Sequence, residues 1–300
     1  MLKPNFFIVG APKSGTTALY EYLKQHPDVF FDVKEICYFC PDLTLRTPHI
    51  TESVYLSYYT NAGNQQAVGD GYVYHLLSKE AAKEIKAFNP DARIIIMLRN
   101  PVEMVYSLHA QHVFDGDELI ENFEDALNAQ SSKSLAERVP DYYKCPLESM
   151  DYSSVAKYYE QVLRYKSVFA EDKVHIILYD DFKLNPEQEY RKLLKFLGLK
   201  ETMPNTFEVI NPSHGVRSKS FRNFLINAPG GIKAMGRVFF PHHSKRRVWL
   251  MHKLWFLNSK SKTQKPLTEE LKQRLVDMYK NDIQKLEKLL NRDLGNWLKV

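Results

Sequence analysis

Three cysteines in 300 residues are too few, and odd in number, for a disulfide framework, which points to a reducing compartment. Cys37 and Cys40 form one C-x-x-C, but no second pair follows and Cys145 stands alone, so the motif reads as two packed thiols in a locally aromatic segment, ahead of a zinc or redox site. Nowhere do about 18 apolar residues run together. A glycine loop interrupts the start, MLKPNFFIVGAPKSG, too early for a signal peptide, and the expectation is a soluble, cytoplasmic protein. Internal repeats and low-complexity tracts are missing as well. Charge of one sign is also scarce: a net charge of +5 over the whole chain favours anionic ligands but lacks the concentrated stripe of a nucleic-acid binder, so no nucleic-acid partner is expected. There are two local basic clusters, Arg217 with Lys219 and Arg222, and Lys245 to Arg247 beside Trp249 and Trp255, and the second reads as a solvated face. For the second, peripheral contact with a membrane surface or an acidic acceptor is the alternative.

What is present is enough to bury a full core, with 44% hydrophobic and 26% charged residues, and a single domain over residues 1–300 is expected. Asn5 to Val9 is an apolar run ending in a Gly- and Pro-containing loop, and Thr16 to Gln25 then has helical spacing until His26-Pro27 stops it. Val29 to Phe31 resembles a second strand. Arg93 to Leu98 is a continuous apolar run of the kind buried on both faces of a parallel sheet, and Asn100-Pro101 supplies an N-cap and a first-turn proline. Val174 to Tyr179 reads as another strand, followed by a helix from Pro186 to Leu197 that Gly198 can close. From Thr268 the apolar positions Leu271, Leu275, Met278, Ile283, Leu286 and Leu290 predict a terminal helix docked on the core. Strands alternating with helices imply an α/β fold with a central parallel β-sheet flanked by helices. The less regular regions 112–150 and 213–265 are where acceptor contacts are expected, because loops on a rigid scaffold carry specificity.

The decisive motif is G-A-P-K-S-G-T-T, Gly10 to Thr17, placed after the first strand and opening the first helix. A helix start reached through a glycine turn offers N–H groups to a phosphate. In an ATP-binding P-loop the lysine follows the second glycine; here Thr16 holds that place and the lysine is Lys13, inside the loop.

These residues resemble the PAPS-dependent sulfotransferases, enzymes using 3′-phosphoadenosine-5′-phosphosulfate. P-K-S-G-T-T is similar to the family's 5′-phosphosulfate loop, which implies cofactor contacts at Lys13, Ser14, Gly15, Thr16 and Thr17. R-N-P-V-E-M-V-Y-S, Arg99 to Ser107, resembles the 3′-phosphate motif, implying that Arg99 and Ser107 hold that group. V-K-E-I-C-Y-F, Val33 to Phe39, is similar to the K-E-x-x-x-F segment of the heparan-sulfate-type branch and its bacterial relatives, whose glutamate is the catalytic base. Y-D-D-F at Tyr179, F-L-G-L at Phe196 and the closing N-W-L are similar to weaker family signatures. The fold this implies is P-loop-like, in three layers.

The resemblance implies in-line transfer of a sulfuryl group from PAPS to a hydroxyl or amine of a carbohydrate, lipid or other small-molecule acceptor, with Glu35 as base and Lys13 stabilising the leaving phosphate oxygen. Gln111 lies one helical turn beyond Ser107, where relatives place an acceptor contact, and ranks above His112; Arg217 is placed like a basic loop over the nucleotide. A departure falls at Gly69 to His75: many heparan-type relatives carry E-K-[ST]-P there, and Gly71 takes the place of their lysine, leaving Lys13 as the main cation. No metal is required, although Asp70 is a tentative substrate contact and the one arguable Mg²⁺ partner. The alternatives are a P-loop kinase using Mg-ATP and a non-catalytic nucleotide- or glycan-binding module. Tyr142, Tyr143, Tyr152, Tyr158 and Tyr159 suit either a stacking platform or a half-buried tyrosine-rich helix.

Overall fold

A computed structural model of the chain describes residues 3–129 apart from 33 and 47, residues 139, 143, 145–207 and 265–300, and the backbone of 214–216 and 259–261. The expectations at Arg217, Tyr142 and the basic-aromatic segment 242–256 lie outside the described residues. Five parallel strands form the central sheet: β1 (Phe6–Gly10), β2 (Val29–Phe30), β3 (Ala67–Gly71), β4 (Arg93–Leu98) and β5 (Val174–Leu178), in the order β2-β3-β1-β4-β5. A short antiparallel pair, β6 (His214–Val216) with β7 (Ser259–Ser261), forms a second sheet.

Both faces of this sheet are apolar, which is why β1 and β4 carry unbroken hydrophobic runs. Phe7, Val9, Ile94, Ile96 and Leu98 enter one core, and Phe6, Ile8, Ile95, Met97 and Ile177 the other, as side-chain alternation along a strand requires. The second core is covered by α1 (Thr16–Leu23), α7 (Tyr179–Leu184) and α8 (Pro186–Leu197). The first is covered by α3 (Ala81–Phe88), α4 (Pro101–Asp115), α5 (Phe123–Asn128), α6 (Tyr158–Val168) and α9 (Glu269–Leu290). The arrangement is the expected three-layer α/β fold, completed by the short α2 (Glu52–Ser57).

Several ends fall where local chemistry puts them. Asn100 Oδ1 accepts from the Val102 N–H at 3.0 Å with Pro101 next in line, Asn185 accepts from Gln188 at 3.2 Å, and Thr268 accepts from Leu271 at 3.3 Å. Gly198 closes α8 in the left-handed conformation, φ 69°. The C-terminal helix docks as expected, burying Leu275, Tyr279, Ile283 and Leu286. Tyr143, Tyr152 and Tyr158 are fully buried, so these rings are core and not a stacking platform.

The order of strands sets the site. After β1 the chain passes to β2 and β3 on one side and then crosses to β4 on the other, so the loops leaving β1 and β4 diverge and open a crevice at the carboxyl edge. Gly10 to Thr17 and Arg99 both lie at that edge.

Candidate active site

The loop after β1 is pinned from beneath: the Ala11 N–H donates to the Met97 carbonyl of β4 at 2.6 Å. Lys13 takes the left-handed conformation at φ 56° and Gly15 follows at φ 90°, a turn that delivers the chain into α1. A Cβ on Gly15 would meet the Tyr179 ring at 3.1 Å, so glycine serves both the turn and the close approach of that ring. No side chain caps α1 and no acid occupies its first turn, which leaves its leading N–H groups and positive dipole end for an anion. Among the predicted contacts, Ser14 is turned inward, its hydroxyl donating to the Pro12 carbonyl at 3.2 Å; its backbone N–H is what remains for a ligand. Thr16 is buried and Thr17 half-buried.

Lys13 reaches α4. Its Nζ donates to Gln111 Oε1 at 3.0 Å, and Gln111 Nε2 donates to Asp115 at 2.8 Å. His112, the next residue, is buried and paired with the Tyr152 hydroxyl, whereas Gln111 reaches Lys13. Burial holds the Lys13 ammonium below the ordinary lysine range; the charges of Arg99 and Lys34 push the same way, against the Asp115 carboxylate. Arg99 ties the strand end to the loop: one guanidinium nitrogen donates to the Lys13 carbonyl at 3.2 Å, the group lies 4.8 Å over the Tyr179 ring, and its Nε and second terminal nitrogen grip Glu103 at 3.0 and 2.8 Å. Ser107 is half-buried on α4.

Glu35 is the exposed carboxylate at the rim. Its N–H donates to the Gly71 carbonyl at 2.6 Å, and it too sits in the left-handed region, φ 66°. The residue that sequence reasoning missed is its neighbour. Lys34, with only 14% of its side chain exposed, donates from Nζ to Thr17 Oγ1 at 2.9 Å and pairs with Glu35 Oε1 at 3.2 Å. One ammonium thus joins the loop hydroxyl to the acid. Gly71 makes room for this: a Cβ there would lie 2.9 Å from the Phe31 ring and 3.4 Å from Lys34 Cγ. Lys13 is therefore joined at the site by a second cation, Lys34. At the place where the resembled relatives carry lysine, this chain passes the stem of Lys34 over a bare glycine. A lysine adjacent to a glutamate reads in sequence as a solvated pair, and only the bare Gly71 hinted otherwise.

Asp70 does not face the crevice, which corrects the tentative substrate contact and removes the arguable Mg²⁺ partner. It is 1% exposed; the Tyr55 and Tyr59 hydroxyls each donate to Oδ2 at 2.9 Å, and His75 Nδ1 lies 3.7 Å from Oδ1. Burial pushes its carboxyl from 3.8 up to about 7, opposed by the two tyrosines and helped by the charge of Glu35, whereas burial pushes His75 from 6.5 down to about 3. These shifts act oppositely on folding. Asp70 favours the folded state at low pH, an effect lost as pH rises through about 7; His75 favours it above 6.5, an effect lost as pH falls toward 3. Between 3.8 and 6.5 the two cancel. Asp70→Asn removes the opposing contribution, so its stability should climb with pH across that window more steeply than the parent's. Thermal melts of both proteins check this, and equal pH slopes would contradict it.

Among the described residues no cluster of His, Cys, Asp and Glu has the makings of a metal site, and no helix is long and apolar enough to cross a membrane. A basic cavity of about 400 Å³, lined by Arg93, Lys173, Lys192 and Lys195 with Asp172 and Phe196, lies at the opposite edge of the sheet. Its lysines are partly compensated, Lys192 by Glu189 at 2.6 Å and Lys173 by Asp91 at 4.0 Å.

Two weaker motifs dock together behind the loop: Trp297 Nε1 donates to Asp180 at 3.0 Å and Arg292 pairs with Asp181 at 2.7 Å, bracing the helix that starts with Tyr179. Comparison with known proteins adds to this geometry. Residues 3–214 match the sulfotransferase-domain family. The human bifunctional heparan sulfate N-deacetylase/N-sulfotransferase 2 is 24% identical over 209 residues, 65% of this chain and 22% of its own length. Human heparan sulfate glucosamine 3-O-sulfotransferase 6 is 33% identical over 117 residues, 36% of this chain and 30% of its own. The chain thus aligns with less than a third of either curated relative. The crystal structure of a sulfotransferase from Alicyclobacillus acidocaldarius superposes with a TM-score of 0.72 at 25% identity, covering 100% of both chains.

Proposed function

The chain belongs to the sulfotransferase family, and on that premise we propose that it moves a sulfuryl group from PAPS to a hydroxyl or amine of a carbohydrate, lipid or other small-molecule acceptor, with Glu35 as base. The observation that carries the reading is the bridge Thr17–Lys34–Glu35, which fixes a carboxylate to the rim of an anion-binding loop. The residues suit a nucleotide phosphorylated at both ends: an uncapped helix start and a half-buried lysine for one phosphate, a guanidinium fork for the other. PAPS supplies a sulfuryl group on a phosphate leaving group. For the chain's part, the N–H groups of Gly15 to Thr17 hold the 5′-phosphate, and Lys13 meets the charge that grows on the departing oxygen. Arg99 and Ser107 take the 3′-phosphate. Glu103, which now grips Arg99, is an exposed partner of small energetic worth, so a phosphate exchanges for it readily.

Glu35 accepts the acceptor's proton, and Gln111, held between Lys13 and Asp115, orients the acceptor on the α4 side. Lys34 keeps Glu35 aimed. Lys34→Met removes one charge-assisted contact on each side and should lower kcat about tenfold to a hundredfold, read by PAPS-dependent turnover; unchanged kcat would remove Lys34 from the site. The proposal as a whole is tested by calorimetry in EDTA with 3′-phosphoadenosine-5′-phosphate against ATP, and again with ATP and Mg²⁺. Preference for the 3′-phosphorylated nucleotide without metal is the expected result, and preference for Mg-ATP would overturn it. Transfer over a mixed acceptor panel, read by mass spectrometry, then identifies the acceptor.

A further inference from the structure

All three cysteines of the chain meet beside the candidate base. Cys40 packs with Leu43, Tyr72 and Tyr74, and Cys37 and Cys145 lean on the same cluster. The Cys37 and Cys40 thiols are 2.8 Å apart, one donating to the other. In sequence these are two packed thiols; in space they differ in character. Cys37 is half-buried, and the hydrogen bond from Cys40 draws its thiol below the ordinary range against burial and the charges of Asp70 and Asp42. Cys40 is fully buried, and its bond to Cys37 together with burial pushes its thiol far up. Burial also pushes Cys145 up, to about 12. A reachable, readily ionised thiol backed by a buried protonated one is the pairing of an attacking with a resolving cysteine.

We propose that Cys37 and Cys40 close reversibly into a disulfide that switches the sulfuryl transfer off. The oxidant is a small-molecule disulfide. The Cys37 thiolate attacks one of its sulfurs and expels the other as thiolate, which takes up a proton. Cys40, giving up its own proton, then attacks the Cys37 sulfur and expels the second small thiol. Two protein thiols are oxidised and one external disulfide is reduced to two thiols.

The consequence for the site follows from the segment that carries both features. Residues 34–40 form neither helix nor strand and hang on the Glu35 N–H to Gly71 bond and on the buried Ile36 and Phe39 side chains. Glu35, two residues before Cys37, holds a left-handed backbone that only its surroundings maintain. Drawing the two sulfurs to about 2.05 Å re-aims the backbone next to it. A base displaced by about 1 Å costs about 10²-fold in rate, so the oxidised chain should turn over about 10²-fold more slowly. This last step rests on Glu35 being the base.

The full chain is incubated with oxidised glutathione, trapped by alkylation and mapped as non-reduced peptides, alongside turnover from PAPS and amide exchange across 34–40. Expected are a Cys37–Cys40 link, altered exchange in that segment, about 10²-fold loss of turnover regained on dithiothreitol, and insensitivity in Cys37→Ser and Cys37→Ala. Thiols that stay reduced, a link to Cys145, or a closed link with unaltered exchange overturns the proposal. So does full turnover in the linked chain. Absence of turnover in the reduced chain, seen before any oxidant is added, is instead a failure of the functional reading, and the mapping and exchange still decide the thiol pair.

Discussion

Glu35→Gln should lower turnover about 10²–10⁴-fold while affinity for 3′-phosphoadenosine-5′-phosphate stays at the parent value. The amide keeps the shape of the side chain and its reach to Lys34, so the loop, the Lys34–Thr17 bond and the nucleotide contacts survive. What it lacks is a site for the acceptor's proton. The left-handed backbone at Glu35 imposes the same strain on either side chain, so thermal melts of the two proteins should coincide. Normal turnover in the variant would show that another group takes the proton. A loss of nucleotide affinity equal to the loss of rate would show that the carboxylate serves binding instead.

Lys13→Ala should cost about 10²–10³-fold in kcat, the usual toll for deleting one donor aimed at developing negative charge. The effect is large because Lys13 is held by Gln111 at 3.0 Å inside a loop that Arg99 ties to β4, so its ammonium is in position before the reaction begins. Its depressed pKa adds a second signature. Burial together with Arg99 and Lys34 makes the proton leave earlier than from an ordinary lysine at 10.5, so parent turnover should fall on the alkaline side below that pH. The residual activity of Lys13→Ala should lack this alkaline fall. Parent-like kcat in the variant would remove Lys13 from the reaction centre.

Much of this was legible in the sequence because local chemistry and tertiary context agree there. Apolar runs buried on two faces mark β1 and β4, Asn and Pro open α4 and α8, and Gly198 closes α8. The anion loop was readable from its own residues because a strand, a glycine turn and a helix start are all encoded within a few positions. β3 was not, since Gly69 and Gly71 break the apolar run that a buried strand normally shows. Those glycines answer to neighbours distant in sequence: the Phe6 and Phe31 rings press on Gly69, and Phe31 with Lys34 presses on Gly71. Asp70 misled for the same reason, its two tyrosine donors coming from α2 and the turn after it. Lys34 and the contact between Cys37 and Cys40 were illegible because spacing reports neither burial nor which side chain a long lysine stem will meet.

The central claim is a single clasp: the loop from Gly10 to Thr17 and the guanidinium of Arg99 hold the two ends of one nucleotide, with Glu35 across from the transferred group. A crystal structure with 3′-phosphoadenosine-5′-phosphate tests it most directly. The account predicts the 5′-phosphate on the N–H groups of Gly15 to Thr17 beside Lys13, and the 3′-phosphate on Arg99 in place of Glu103. A nucleotide lodged elsewhere, or bound with its 3′-phosphate free of Arg99, would contradict it.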